Sequence, residues 1–161
     1  MKIVLNIKEL LEEGQIDQVE YDKLLLLSKR QTTSLAFNLL FASDVIHQRQ
    51  DSMQNFNKLM RSATQTLNSG ETKGLEEIYA EIEAILIEYP TLFPDDSFVG
   101  KTKASTDIID NRDAFNQISQ DASDWAALAK ISAKNGDLES IQQHHKNLYS
   151  SCKSCHSRFK N

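Results

Sequence analysis

The apolar residues of this 161-residue chain recur mostly three and four positions apart, which is the spacing of one helix face. Between residues 72 and 88, for example, one such stripe consists of Leu75, Ile78, Ile82, Ile85 and Leu86. Five glycines and two prolines are few for a chain of this length, so little in the sequence interrupts helices. The pattern predicts an all-α protein.

Residues that stop helices divide the second part of the chain into four long helical segments. We predict helices over residues 44–67, 72–88 and 112–134, and a last helix that Asp137 caps and that runs toward the end of the chain. Pro90 and Pro94 begin the longest predicted loop, residues 90–105. Four amphipathic helices joined by mostly short turns predict an up-down four-helix bundle.

The first 43 residues form a separate region in this prediction. A short helix over residues 7–13 ends at Gly14, and Asp17 with Glu20 has the spacing of a capping box that opens a second helix toward Ala42. We therefore predict that residues 1–43 are an N-terminal helical hairpin or extension. Residues 44–161 are the predicted bundle domain.

Residues 29–43 allow two interpretations. The basic pair Lys29-Arg30 precedes an apolar run that ends in small residues at Ala42-Ser43, as in a degenerate export signal. The same run also fits a buried helix segment. With eight apolar-rich residues it is too short to span a bilayer.

Composition and charge make some classes of function unexpected for this chain. Hydrophobic content of 40% and charged content of 25% are ordinary for a globular protein. The formal net charge is −5 and there is no long basic run, so we do not expect nucleic-acid binding. Because no catalytic triad, phosphate loop or paired-carboxylate site is recognisable, we do not expect an enzyme.

The two cysteines of the chain carry the strongest chemical signal. Cys152 and Cys155 are followed by His156, which is the Cys-x-x-Cys-His spacing of c-type haem attachment. On a helix these three side chains share one face. The motif predicts one covalently attached haem c per chain, with both cysteines bound to the haem and His156 bound to the iron. A redox dithiol and half of a zinc site are the alternatives.

Several segments together resemble the cytochrome c′ family, which includes low-spin members with a methionine ligand. They are residues 136–138 and 151–159 around the last helix, 92–94 and 100–104 in the loop, and 46–53 on the first bundle helix. The resemblance extends over residues 44–161 and implies a haem-binding four-helix bundle.

The resemblance also implies roles for the first bundle helix. It puts Met53 on the other face of the haem, as an iron ligand or a bulky blocking group, and Arg49 and Gln50 near the anionic haem propionates. Our leading hypothesis is a single-haem electron carrier with His156 and Met53 as axial ligands. The alternative is a five-coordinate haem that binds nitric oxide or carbon monoxide. An interaction module with a thiol or metal site is the hypothesis from another class.

Partners and location follow from the same hypothesis. Haem attachment of this kind is normally completed outside the bacterial cytoplasm, so we expect a periplasmic protein with a periplasmic or membrane-bound redox partner. A small gas is the ligand under the alternative hypothesis. The family resemblance leaves open a homodimer formed through the first two bundle helices.

Overall fold

A computed structural model describes residues 10–14 and 16–161, without the side chains of residues 28 and 30–41. Its elements, in chain order, are α1 (Gln18–Asn68), α2 (Leu75–Glu88), a 3-10 helix (Tyr89–Leu92), α3 (Asp107–Asp110), α4 (Arg112–Lys134) and α5 (Leu138–Phe159). Residues 89–106, from the 3-10 helix to the start of α3, form the middle segment. The predicted all-α fold class is confirmed.

The first helix differs from the prediction. We expected one helix to end at Ala42 and another to begin at Asp44, whereas α1 is a single helix of 51 residues. The physical reason is local, because residues 18–68 contain neither glycine nor proline and nothing at Ala42-Ser43 stops a helix. The chain nevertheless divides into two compact units, Met1–Phe41 and Ala42–Asn161. The predicted N-terminal extension and bundle domain stay a prediction.

In the first unit, the predicted capping box at the start of α1 is present. The backbone N–H of Glu20 donates to the carboxylate of Asp17 at 2.8 Å, and the N–H of Asp17 donates to the carboxylate of Glu20 at 3.4 Å. Gly14 has the positive φ of 70° that a helix-ending glycine adopts. The predicted helix over residues 7–13 and the side chains of the signal-like segment lie largely outside the described residues.

In the second unit, four long helices share one hydrophobic core. The side chains that form it are Phe56, Met60, Ala63 and Leu67 of α1, Leu75, Tyr79, Ile82 and Leu86 of α2, Ala122, Ala126, Ala129 and Ala133 of α4, and Ile141 and Leu148 of α5. The four alanines recur every three or four residues along α4, so the neighbouring helices can approach it closely. This is the predicted four-helix bundle.

A second, aromatic cluster lies beside the middle segment. It is built on Phe93, Ile108, Phe115 and Phe159, each at most 4% exposed. An antiparallel bridge between Ala104 and Lys160 joins the middle segment to the end of the chain. Two flanking hydrogen bonds strengthen it, from Ser105 N–H to the Phe159 carbonyl at 2.9 Å and from Asn161 N–H to the Lys103 carbonyl at 2.8 Å.

Among the residues that the structure describes, no helix combines the length and the apolar composition needed to cross a bilayer.

Candidate functional site

Helix α5 brings the haem-attachment motif to one cavity. Cys152, Cys155 and His156 all line a space of about 670 Å³ inside the bundle unit. Both thiols are half-buried and are not joined to each other. A helix sets residues three and four apart on the same side, so the common orientation follows from the spacing alone.

Burial shifts the pKa values of the two cysteines and the histidine. It raises the pKa of Cys152, and it raises the pKa of Cys155 to about 11, with a smaller contribution from the neighbouring Cys152. Burial, followed by the nearby charge of Lys160, lowers the pKa of His156. A lower pKa favours the neutral imidazole of His156, which is the form in which histidine binds a metal.

Helix α1 supplies another wall of the same cavity. Ile46, Met53 and Phe56 line it, and Met53 is half-buried. Arg49 and Gln50 line it as well, so all six residues that the sequence assigns to the site face one cavity. Their individual roles toward a haem stay predictions.

Arg49 is engaged in a way that the sequence did not indicate. Its side chain is 4% exposed, and its Nε donates to the carbonyl oxygen of Leu92 at 2.6 Å. Its Nη1 donates to the carbonyl oxygen of Ser97 at 3.0 Å, and its Nη2 donates to the hydroxyl of Ser97. The amide of Gln50 donates to the carbonyl oxygen of Lys101 at 3.2 Å. Both residues thus bind the middle segment.

Aromatic residues complete the lining, and sequence reasoning missed them. Tyr89, Phe93, Phe115 and Phe159 all face the cavity. Burial, with a smaller contribution from Cys155 and against the opposing effect of Arg49, raises the pKa of Tyr89 to about 12. A sequence does not distinguish an aromatic residue that lines a cavity from one in an ordinary core, so neither the apolar stripes nor the segments similar to the family indicate this role.

The residues present fit a haem. The cavity has the size of a cofactor site and is lined mainly by apolar side chains. Two free thiols and an imidazole reach it from one helix, which is the donor set that c-type haem needs. The described residues include no group of three or more His, Cys, Asp or Glu side chains placed to hold a metal ion. Fold and site together define a helical-bundle protein that binds haem covalently.

Comparison with known proteins identifies the family. A family model described as cytochrome C′ matches residues 44–160, so the chain belongs to the cytochrome c′ family. Members carry one covalently attached haem c per chain, and the two cysteines that attach it are present here. The family resemblance and the cofactor inferred from the sequence are both confirmed. No curated protein sequence matches the chain.

Solved structures show the same fold. Cytochrome c prime from Shewanella frigidimarina is 23% identical, with 74% of this chain and 96% of that chain covered and a TM-score of 0.69. A cytochrome c′ with an unusual ligand-controlled dimer dissociation is 19% identical, with coverages of 74% and 95% and a TM-score of 0.69. A nitric oxide complex of a mutant cytochrome c prime from Alcaligenes xylosoxidans is 19% identical, with coverages of 74% and 96% and a TM-score of 0.65.

Proposed function

We propose that this protein binds a small gas, nitric oxide or carbon monoxide, at a five-coordinate haem whose one protein ligand is His156. The observation that carries the proposal is the membership of the cytochrome c′ family, together with the nitric oxide complex of a structural relative. This favours the alternative hypothesis over the electron carrier with Met53 as the second axial ligand.

The lining of the cavity supports this function. When bound, the haem would supply an iron centre that can bind a small gas. His156 would hold the haem iron through its imidazole, and Ile46, Met53 and Phe56 supply apolar groups to the side of the cavity that α1 lines. Apolar groups of this kind favour a small uncharged ligand over a charged one. In this proposal Met53 packs in the wall, which is the commoner use of a methionine on an apolar stripe.

A visible spectrum of the holoprotein tests the proposal. The reduced protein should show a five-coordinate high-spin haem that binds carbon monoxide and nitric oxide, and Met53→Leu should leave the spin state unchanged. Met60→Leu is the matched control, because Met60 lies on the same helix but in the bundle core. A native low-spin spectrum that Met53→Ala converts to high spin would establish the electron carrier instead. Colourless protein with free thiols, made where haem is matured, would exclude both.

Assembly and location belong to the same proposal. One structural relative is described by a ligand-controlled dimer dissociation, so we propose that this chain also forms a homodimer. Light scattering with and without carbon monoxide tests this, and a monomeric mass at micromolar concentration under both conditions would contradict it. We propose a periplasmic, non-enzymatic protein; fractionation of the native host tests the location.

A further inference from the structure

Arg49 is a buried cation, and its hydrogen-bond acceptors among the described residues are all neutral. Each of its three nitrogens donates to the middle segment, to the carbonyl oxygen of Leu92, the carbonyl oxygen of Ser97 and the hydroxyl of Ser97. Ser97 is itself fully buried, and its hydroxyl donates onward to the carbonyl oxygen of Pro94 at 2.5 Å. One guanidinium therefore holds both Leu92 and Ser97, which lie on either side of a tight turn.

The same guanidinium packs against aromatic rings of that turn. Its Cζ lies 4.1 Å from the centroid of Phe93 and 5.3 Å from that of Phe98. Contacts between a cation and a ring at these distances are favourable and are stronger away from water. Arg49 thus fixes both the backbone of the turn and the position of Phe93.

Phe93 links this turn to the wall of the haem cavity. Its ring meets Phe115 edge-on at 4.8 Å between centroids, and Phe115 meets Phe159 at 5.3 Å. All three rings line the cavity, and Phe159 lies three residues after His156 on α5. These three rings form an aromatic wall of the cavity, which extends from the turn that Arg49 holds to helix α5.

The chemistry of the contact requires arginine. A lysine ammonium is a single point charge, whereas the planar guanidinium fork reaches separate acceptors in one plane. Burial lowers the pKa of Arg49, which reflects the cost of keeping this cation away from water. An apolar side chain would fill the same space at less cost, but it would leave the carbonyl groups of Leu92 and Ser97 without this donor.

We propose that Arg49 is a positioning residue of the gas cavity. By holding residues 92–98, it fixes the aromatic wall at Phe93 and thereby sets the rates of gas association and dissociation. The effect on the rates of gas binding rests on the proposed function. The role differs from the propionate contact expected from the family resemblance, because it acts through Ser97. Ser97 does not line the cavity, so its substitution perturbs the turn without touching the haem site directly.

The test compares Arg49→Lys, Ser97→Ala and the double variant in the holoprotein. Carbon monoxide association and dissociation are followed after flash photolysis, and amide hydrogen exchange is followed over residues 92–98. Loss of one typical hydrogen bond should speed exchange in the turn about fivefold. Both single variants should also change the gas rates, and the double variant should do little more than the larger single one, since the residues act as one unit.

Arg112→Lys is the matched control. Arg112 also binds this turn, donating to Asp95 at 2.8 Å, but Asp95 is exposed and Arg112 does not line the cavity. Because an exposed ion pair contributes little to stability, Arg112→Lys should leave the gas rates unchanged and should speed the exchange of residues 92–98 less than Arg49→Lys does. If Ser97→Ala is silent while Arg49→Lys alters gas binding, Arg49 acts directly on the bound cofactor and the inference is overturned.

Failure of the proposed function would give a different result. A wild-type protein that binds no carbon monoxide would overturn gas binding and, with it, the claim on gas rates. Unchanged exchange of residues 92–98 in Arg49→Lys, in a protein that does bind gas, would overturn the inference alone. Should Arg49→Lys fail to fold, Ser97→Ala decides by itself, because it removes only a hydroxyl.

Discussion

A hydrogen-bonded histidine within the bundle gives a quantitative prediction about stability. Tyr79 is fully buried, and its hydroxyl lies 2.9 Å from Nδ1 of His145. On the other side of the ring, Nε2 lies 3.0 Å from the hydroxyl of Thr64, which donates its own proton to the carbonyl oxygen of Met60 at 2.8 Å. Thr64 must therefore accept from Nε2–H, which makes Nδ1 the acceptor for Tyr79. Donation by Tyr79 requires an unprotonated Nδ1, and therefore a neutral His145, whereas the contact with Thr64 fits either form.

Removing the Tyr79 hydroxyl should destabilise the protein measurably. Tyr79→Phe deletes a hydrogen bond and leaves Nδ1 of His145 without its donor, for which we expect a loss of about 1–3 kcal/mol in the free energy of unfolding. The ring itself stays, so packing changes little. Urea denaturation followed by circular dichroism at pH 7.5 measures the difference. A Tyr79→Phe variant as stable as the wild type would refute the hydrogen-bond assignment.

The same contact predicts how stability depends on pH. Burial lowers the pKa of His145 from its ordinary value of 6.5. The unfolded chain therefore takes up a proton near pH 6.5, and the folded protein does so only at lower pH. Between the two values the unfolded state binds more protons, so stability falls as the pH falls below about 6.5. The contribution of neutral His145 is fully present above that pH.

Two histidine variants isolate this effect. His145→Gln should reduce the fall in stability between pH 7.5 and 5.5, since the titrating group is gone. His47→Gln serves as the control, because His47 is exposed and its Nδ1–H donates one hydrogen bond, to the backbone carbonyl oxygen of Ser43 at 2.8 Å. An unaltered pH slope in His145→Gln would show that other groups cause the dependence.

Three other substitutions or deletions test separate parts of the structure. Phe115→Ala should lower the free energy of unfolding by about 3–5 kcal/mol, because a buried ring at the centre of the aromatic cluster is lost, and urea denaturation measures it. Lys130→Met should cost less than about 1 kcal/mol by the same measurement, since its ion pair with Glu83 is partly exposed. A chain that starts at Ala42 should still fold and attach haem, because both core clusters lie after that residue; colourless or aggregated protein would contradict this.

The local features of the fold were predictable because nearby residues determine them. The end of α4 at Lys134 follows from Asn135-Gly136, and Asp137 caps α5 by accepting the N–H of Ser140 at 3.1 Å, as predicted. The three residues of the haem motif reach one cavity for the same reason, since helical spacing alone aligns them.

Features that depend on distant residues were not predictable from the pattern. The continuity of α1 differs from the boundary predicted near residue 43, because the small residues at Ala42-Ser43 do not break a helix. The partners of Arg49 lie 43 and 48 residues away, and nothing in the spacing of α1 indicates that the middle segment folds over it. Long-range contacts of this kind decide whether a charged residue binds a cofactor or the protein itself.

The position of Arg49 also determines how variants of Met53 can be interpreted. The two residues are one turn apart on α1 and face the same cavity. Three hydrogen bonds to the middle segment anchor the helix at Arg49, so a substitution at Met53 alters the cavity wall without releasing that anchor. A change of spin state in Met53 variants would therefore report the thioether itself. The same change in Arg49 variants would combine the loss of the anchor with any effect on the haem, which is why the two sites require separate tests.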